Sequence, residues 1–277
     1  MTEPRSARAI EREEFRRRAS VRSTLIACVS TLVVAIVLYF AVTSAPGWPT
    51  VRQRFFSPSA AWNAFPSVID GLWLNIRVMV ICEILILILG MVIALIRTSD
   101  NPVLFPLRML AIAYTDLFRG LPLILVLLLL GFGVPGLRLQ GLPGNVVIYG
   151  GAALVLCYSA YVAEVFRAGI ESVHPSQWAA ARSLGLSAPA SMRYVILPQA
   201  VRRVIPPLLN DLVSLQKDSG LISVLGAVDA VQAAQIETGK HFNFTPYVLA
   251  GLLFVILTIP MTRLTDHVAA RMNRRGR

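Results

Sequence analysis

Long uncharged apolar blocks recur along the chain, separated by segments that carry most of the charged residues. A helix needs roughly 20 predominantly apolar residues to cross the hydrocarbon core of a bilayer. The apolar blocks lie at residues 25–43, 72–96, 121–137, 146–167, 204–215 and 247–262. This pattern predicts an all-α integral membrane protein with about six transmembrane helices.

The fifth block is the weakest, because it is short and contains Pro206 and Pro207. We predict a broken helix there, since proline lacks a backbone N–H. Cytoplasmic segments carry an excess of Lys and Arg, and six spans with a cytoplasmic N-terminus place 20 of the 26 basic residues inside. Without the fifth span the Arg-rich end of the chain would lie outside. Both termini are therefore predicted to be cytoplasmic.

The first block is predicted to be a retained helix rather than a cleaved signal peptide. Its leader contains Glu3, Glu11, Glu13 and Glu14, and its apolar run exceeds the usual length of about 7–15 residues. The predicted regions are an Arg-rich cytoplasmic tail at 1–24, a transmembrane helix at 25–43, an external connection at 44–70, a transmembrane domain at 71–264 with a cytoplasmic loop at 170–190, and a basic cytoplasmic tail at 265–277.

The composition supports a membrane class, since 56% of the 277 residues are hydrophobic and 15% are charged. Membrane lipid is thus an expected partner. The net charge of +11 does not indicate nucleic-acid binding, because no basic face with interleaved aromatic residues is visible. The three cysteines and three histidines are isolated from one another in sequence. We therefore predict neither a disulfide framework nor a metal site.

Catalysis by this chain itself is not predicted. A primary pump requires a phosphate-binding loop of the form Gly-x4-Gly-Lys-[Ser/Thr], and the single Gly-Lys pair, Gly239-Lys240, is followed by His241. No Ser–His–Asp set can be placed from the sequence. We therefore predict that the chain is not an enzyme and that it binds no cofactor itself.

The loop between the fourth and fifth spans is the most informative segment. Pro175 suits the first position of a helix and Gly185 the position just after its end. The resulting helix of about ten residues is marginal in water, so it needs packing. Trp178, Ala181 and Leu184 are predicted to share one side, as a small knob that fits a socket. From spacing alone, an ordinary interhelical loop packed on its own protein is an equally good interpretation.

Several motifs, taken together in their order along the chain, resemble those of a known family. Ala179-Ala-Ala-x-x-x-Gly185, followed by Val195, Leu197 and Pro198, resembles the EAA loop of ABC-importer permeases. The flanking motifs are similar to those of the polar amino-acid uptake permeases: Tyr161 to Val173 with Glu164 and Arg167, Arg119-Gly-Leu-Pro122 after Asp116, and Lys217-Asp218-Ser219 after Asn210. The resemblance covers about residues 71–262, so the first span looks like an addition to a five-helix permease core.

The resemblance implies partners and a role for the loop. The loop would be a coupling helix that docks in a cleft of a separate ATPase subunit, where ATP is bound and hydrolysed. An extracytoplasmic amino-acid-binding protein and a second permease chain, identical or different, complete such an importer. The implied docking residues are Trp178, Ala179, Ala180, Ala181, Arg182, Leu184 and Gly185.

This sequence departs from the motif at one position, because Ala179 stands where the family has Glu. The departure removes a carboxylate that could pair with a basic residue of the ATPase. Docking by shape through Ala180, Ala181 and Gly185 remains compatible with the motif. A partner permease chain that carries the Glu could compensate for the difference.

Polar residues within the apolar blocks are candidates for the substrate path, because ionisable groups at membrane depth usually face a cavity or a partner. A zwitterionic amino acid needs acceptors for its ammonium and donors for its carboxylate, and such residues could supply them. Helix–helix packing is the alternative role for the same residues. Glu164 has a further explanation, since Arg167 lies three residues later on the same helix face. The candidates for the path are Glu164, Asn210, Asp211, Lys217 and Asp218, with Asn75 and Glu83 on the second span as further intramembrane polar residues.

The sequence therefore favours the permease subunit of an ATP-binding-cassette importer that carries polar amino acids across the bacterial cytoplasmic membrane. A stand-alone secondary transporter or channel for small polar solutes is the alternative, and it leaves the ordered cytoplasmic motif unexplained. A membrane-embedded enzyme should show clustered catalytic residues at one membrane face, and none is evident in the sequence.

Overall fold

The computed structural model describes residues 7–99 and 101–275, and the side chains of residues 22–99 and 101–272. The described residues form helices, turns and loops, with no strand among them. Four helices are long and apolar enough to cross a membrane, and the number rises to six if two bent helix pairs each count as one span. The predicted all-α membrane fold with about six spans agrees with this architecture.

The chain divides into two compact units, of which the first ends at Phe55. It contains α1 (Ala7–Thr43) and α2 (Trp48–Phe55). The apolar side chains between Leu25 and Val42 are exposed, as expected of a helix surrounded by lipid. The helix extends before the predicted span at 25–43, because Arg and Glu in the charged leader lower the hydropathy while they favour a helix.

The second unit begins at Phe56 and opens with α3 (Pro58–Arg97). The Ser57 hydroxyl accepts a hydrogen bond from the amide of Ala60 at 3.4 Å, and proline occupies the first helical position. The predicted external connection at 44–70 is therefore largely helical. Ala64 and Val68 belong to the helical part of this segment and are buried in a cluster of mainly small residues. Hydropathy alone does not distinguish such a helix from a loop.

A sharp bend follows between α4 (Phe105–Gly120) and α5 (Leu123–Leu128). The two helical directions differ by 104°, and Leu121 is extended at the bend with φ −93° and ψ 137° because a following proline disfavours the helical conformation. The π-helical turn Leu129–Gly133 leads into α6 (Val134–Gly136). The predicted third span at 121–137 corresponds to the second half of this bent pair. The first half, α4, was not predicted as part of the span because its charged residues lower the hydropathy.

The central helix is α7 (Val146–Glu171), which packs against α3 and against α10 (Leu197–Asp218). Short elements join α7 to α10, namely α8 (Pro175–Ser183), α9 (Ala188–Ser191) and a π-helical turn at Met192–Ile196. Side chains with no exposed surface fill the centre of the bundle, among them Ile86, Leu127 and Leu154. A separate cluster of Ile170, Val173, Ile196 and Ala200 packs beneath the α8 loop.

The predicted break at Pro206 and Pro207 is wrong, because α10 continues through both prolines. Proline fixes φ near the helical value even though it removes a donor, so consecutive prolines need not end the helix. The change of direction lies later, where Gly226 has φ +83° after the 3₁₀ turn Ser219–Leu225. There the bent pair changes direction by 50°, and α11 (Ala230–His241) and α12 (Thr245–Arg275) follow.

Candidate functional site

The α8 helix is defined at both ends by local interactions. His174 precedes it, and its Nδ1 accepts a hydrogen bond from the Ser176 amide at 3.2 Å, with Pro175 at the first helical position. At the other end Gly185 has φ +81°, as the sequence predicts. The amides of Gly185 and Leu186 donate to the carbonyls of Arg182 and Ala181 at 3.0 and 3.2 Å, which is the hydrogen-bond pattern of a Schellman cap. These interactions therefore define where α8 begins and ends.

One side of α8 packs on its own protein. Ala181 is 2% exposed, and Trp178 is partly buried against a cluster formed by Ile170, Val173 and Ile196. These contacts provide the packing that a nine-residue helix needs in order to persist. Trp178 and Ala181 thus support the helix from behind.

The opposite side of α8 is open. Ala179, Ala180 and Arg182 are exposed, and Leu184 is 82% exposed. The expectation that Leu184 shares a side with Trp178 and Ala181 is wrong, because the helix ends at Ser183 and the cap turns the chain there. The outward face consequently combines small residues, one large apolar side chain and one guanidinium, whose Nη1 donates to the Leu186 carbonyl at 2.9 Å.

The base of the loop is joined firmly to the bundle. Gly169 on α7 lies so close to α10 that an added Cβ would come within 2.2 Å of Val204 Cγ1. Arg203 on α10 donates hydrogen bonds to the carbonyl and hydroxyl oxygens of Ser172. The end of α7 that leads into α8 is therefore attached to α10.

Glu164 lies at a junction of three helices. Its Oε2 accepts a hydrogen bond from Arg97 Nη1 at 2.7 Å and lies 3.8 Å from Arg119 Nη1, while its Oε1 pairs with Arg167. Arg97 also donates to Thr115 Oγ1 at 2.9 Å. The predicted Glu164–Arg167 pair is confirmed, but the partners from α3 and α4 could not be found from spacing. The carboxylate thereby ties the ends of α3 and α4 to α7.

The α10 candidates are distributed over different faces of the helix. Asn210 and Lys217 are exposed, on one face with Arg203 and Pro207. Asp218 is partly buried and accepts a hydrogen bond from Tyr158 Oη at 2.7 Å. Within the part of the chain that the structure describes, no hydrogen bond or ion pair joins Glu164 to Asn210 or Asp211. Glu164 is therefore brought together with arginines rather than with the α10 residues.

Asp211 is a carboxylate for which the described residues provide no hydrogen bond or ion pair. Its Oδ2 is buried and makes no hydrogen bond within the described residues. Its helix, α10, packs against α3, which carries Glu83. The unpaired oxygen of Asp211 can accept a hydrogen bond from an ammonium group, another donor or water.

Buried hydrogen bonds of Asn75 stabilise the bend after α10. The sequence did not indicate them. Asn75 Nδ2 donates to Asp229 Oδ2 and to the Ser219 carbonyl, each at 3.0 Å, and Asn75 Oδ1 accepts from the Ala230 amide at 3.1 Å. Asp229 also caps α11 by accepting from the Gln232 amide at 2.9 Å. Asp followed by a good helix former is a helix-start signal, but its partner on α3 is separated by more than 150 residues. Asn75 thus has a structural role.

These features define a multi-pass membrane protein that presents a short capped helix on a loop fixed to two of its long helices. The family described as "binding-protein-dependent transport system inner membrane component" matches residues 86–274. The chain belongs to this family, and it is accordingly the membrane permease component of a transport system.

Individual relatives align with this chain over nearly their full length. A probable glutamine ABC transporter permease protein, GlnM of Bacillus subtilis, is 34% identical over 219 residues, which is 78% of this chain and 98% of the relative. The arginine transport system permease protein ArtQ of the same species is 33% identical over 205 residues, or 74% of this chain and 91% of the relative. Both alignments leave out about a quarter of this chain.

A solved structure of an amino acid ABC transporter with histidines is similar with a TM-score of 0.67 and 33% identity, over 75% of this chain and 94% of that chain. The MetNI methionine ABC transporter has the same fold, with a TM-score of 0.61 at 17% identity, over 74% of this chain and 96% of that chain. The similarity therefore extends from sequence to the arrangement of helices.

Proposed function

We propose that the chain is the permease subunit of an ATP-driven importer that carries polar amino acids across the cytoplasmic membrane. The observation that supports this most directly is the capped α8 helix, with Ala179, Ala180 and Leu184 exposed on its outward face. No other part of the described chain covers this face, and it suits a socket on another subunit. The glutamine and arginine permeases among the relatives support an amino acid as cargo.

The other subunit is an ATPase, and it binds and hydrolyses the ATP. The present chain contains no phosphate-binding loop of the required form, and it is proposed to bind no cofactor itself. Docking uses Trp178, Ala179, Ala180, Ala181, Arg182, Leu184 and Gly185. The α8 end of the bundle and both termini are then cytoplasmic, in agreement with the excess of basic residues on that side.

A second permease chain and a cargo path are proposed along α10. Arg203, Pro207, Asn210 and Lys217 recur on one exposed face of this helix, and polar residues within a membrane protein face water or protein rather than lipid. A second copy, or a related chain, would enclose this face. An extracytoplasmic amino-acid-binding protein would deliver the cargo to the opposite end of the path.

The proposed cargo contacts are on α10. Asn210 and Lys217 provide donors, and Asp211 and Asp218 provide acceptors for an ammonium group. Glu164 stands at the junction with Arg97, Arg119 and Arg167, where its charge is already compensated. Its proposed contribution to the path is therefore to fix the helix ends.

The test is reconstitution of the chain with its ATPase subunits and its amino-acid-binding protein in proteoliposomes. Uptake of one or more polar amino acids should require ATP, and the same amino acids should stimulate ATP hydrolysis. An ATPase whose phosphate-binding lysine is replaced is the matched control. Uptake that persists with this control, or without ATPase subunits, would instead identify a stand-alone transporter.

A further inference from the structure

Helix α4 has an apolar face and a polar face on opposite sides. Its buried residues Ala111 and Thr115 contact the bundle, and helical spacing places the two other faces on either side of them. The leucines of the apolar face are 49–67% exposed, and they are Leu107, Leu110 and Leu117. The polar face consists of Arg108, Asp116 and Arg119. The helix is therefore amphipathic in addition to its contact with the bundle.

This helix crosses the end of α3 and does not run along it. Arg108 Nη1 donates a hydrogen bond to the Ser99 carbonyl at 3.1 Å, and Thr115 Oγ1 accepts one from Arg97 Nη1 at 2.9 Å. The two contacts are seven residues apart on α4 but only two residues apart on the other side. The chain direction also changes by 104° between Pro102–Gly120 and Leu123–Gly136. The two segments therefore cannot both be aligned across a bilayer.

The end of α3 lies at a membrane surface. The helix ends at Arg97, and lipid-exposed irregular backbone such as the loop that follows is not tolerated within hydrocarbon. Because α4 is bonded to this loop at Ser99, it lies at the same level. At its other end, Arg119 lies over the Tyr161 ring at 6.0 Å, and tyrosine is enriched at the headgroup level. The 16 residues of α4 extend about 24 Å, which is less than the ~30 Å of a bilayer core.

We propose that α4 is an interfacial helix whose apolar face inserts into the lipid leaflet on the α8 side of the membrane. A bilayer surface provides an apolar phase on one side of such a helix and water on the other, which is the separation that the two faces show. The helix is also fastened to α7, because Tyr114 Oη lies 2.7 Å from both the Leu156 carbonyl and Ser159 Oγ. The inference goes beyond the proposed function, which it uses only to name the leaflet as cytoplasmic.

Depth measurements along α4 test the proposal. The full chain, with Cys28, Cys82 and Cys157 replaced by alanine, is reconstituted with its ATPase subunits in vesicles of phosphatidylethanolamine and phosphatidylglycerol. One nitroxide label at a time is attached to Leu107→Cys, Leu110→Cys, Leu117→Cys or Asp116→Cys, and its collisions with oxygen and with a water-soluble nickel chelate are measured. The three labels on the apolar face should lie at one shallow depth of about 5–10 Å. The label at position 116 should collide mainly with the nickel chelate.

Two lipid-facing positions on α3 calibrate the measurement. Val80 and Ile88 are 47% and 59% exposed, and labels on Val80→Cys and Ile88→Cys should differ by about 12 Å along this helix. Size-exclusion profiles and ATP-dependent uptake identify the labelled variants that are folded.

Three results would overturn the inference. A progressive change in depth of about 15 Å from position 107 to position 117 would show that α4 crosses the membrane. Exclusion of both oxygen and nickel from the three labels on the apolar face would show that protein covers this face. Free collision of all three with nickel would place the helix in water. Each result leaves the proposed function intact, which fails only if vesicles with the unlabelled chain, its ATPase subunits and its binding protein show no ATP-dependent uptake.

Discussion

Replacement of Gly185 by valine tests whether the α8 cap matters for transport. Gly185 has φ +81°, and an added Cβ would meet no heavy atom within 4 Å. The cost of a side chain is therefore conformational and not steric. For an L-residue in the left-handed region it is about 1–2 kcal/mol, and a β-branched residue is least suited to that region.

The loss is confined to the loop, because the hydrogen bonds of Gly185 and Leu186 to Arg182 and Ala181 close only this helix end. A cost of about 1–2 kcal/mol lowers the equilibrium constant for the capped loop by about five- to thirty-fold. Gly185→Val should therefore reduce ATP-dependent uptake, by up to this factor, while membrane insertion remains normal. The assay is uptake into proteoliposomes, normalised to the amount of inserted protein.

The matched control is Gly185→Asn, because asparagine is accepted at this cap position while it too adds a side chain to the docking face. Uptake should fall in the order glycine, asparagine, alanine, valine. Equal loss in the asparagine and valine variants would mean that bulk on the docking face, rather than backbone conformation, is decisive. Unchanged uptake in the valine variant would refute the requirement for the cap.

Three further predictions concern other parts of the molecule. Asp211→Asn should weaken cargo-dependent uptake by about 1.5–3 kcal/mol, the range for a hydrogen bond to a charged group, with basal ATP hydrolysis unchanged; reduced thermal stability at unchanged cargo affinity would make it a packing residue. Gly169→Ala should lower the unfolding temperature, because the added methyl group would overpack against Val204 at a cost of about 1–3 kcal/mol. Gly251→Ala is the control and should not lower it, because a Cβ added there meets no heavy atom within 4 Å. A cysteine at Ser59 should react with impermeant reagent from outside and one at Ser187 should not; the reverse pattern would contradict the proposed orientation.

Features that depend on neighbouring residues were predictable from the sequence. The ends of α8 follow from Pro175 and Gly185, since capping uses hydrogen bonds within a few residues. Long apolar blocks likewise identify most of the spans. The start of α1 at Ala7 and the continuity of α10 through Pro206 and Pro207 were missed, because hydropathy and proline content are indirect measures of helical conformation.

Features that depend on residues distant in sequence were not predictable. Arg97 and Glu164 are 67 positions apart, and Asn75 and Asp229 are 154 apart, so neither spacing nor composition indicates that they meet. The bend at Leu121-Pro122 could have been found, since the residue before a proline is biased away from the helix. The charges of Arg108, Asp116 and Arg119 nonetheless made the preceding helix look like a loop.

The contrast between Glu164 and Asp211 shows why an intramembrane carboxylate cannot be assigned from its depth alone. Both belong to apolar blocks of the sequence, and a carboxylate there must be compensated. At Glu164 the compensation is internal, because Arg97, Arg119 and Arg167 surround one carboxylate and a cargo ammonium would have to approach an excess of positive charge. At Asp211 the described residues provide no cation, and one carboxylate oxygen is buried without a hydrogen bond. We therefore predict that a cargo ammonium group entering the bundle binds near Asp211 on α10 rather than at the Glu164 junction.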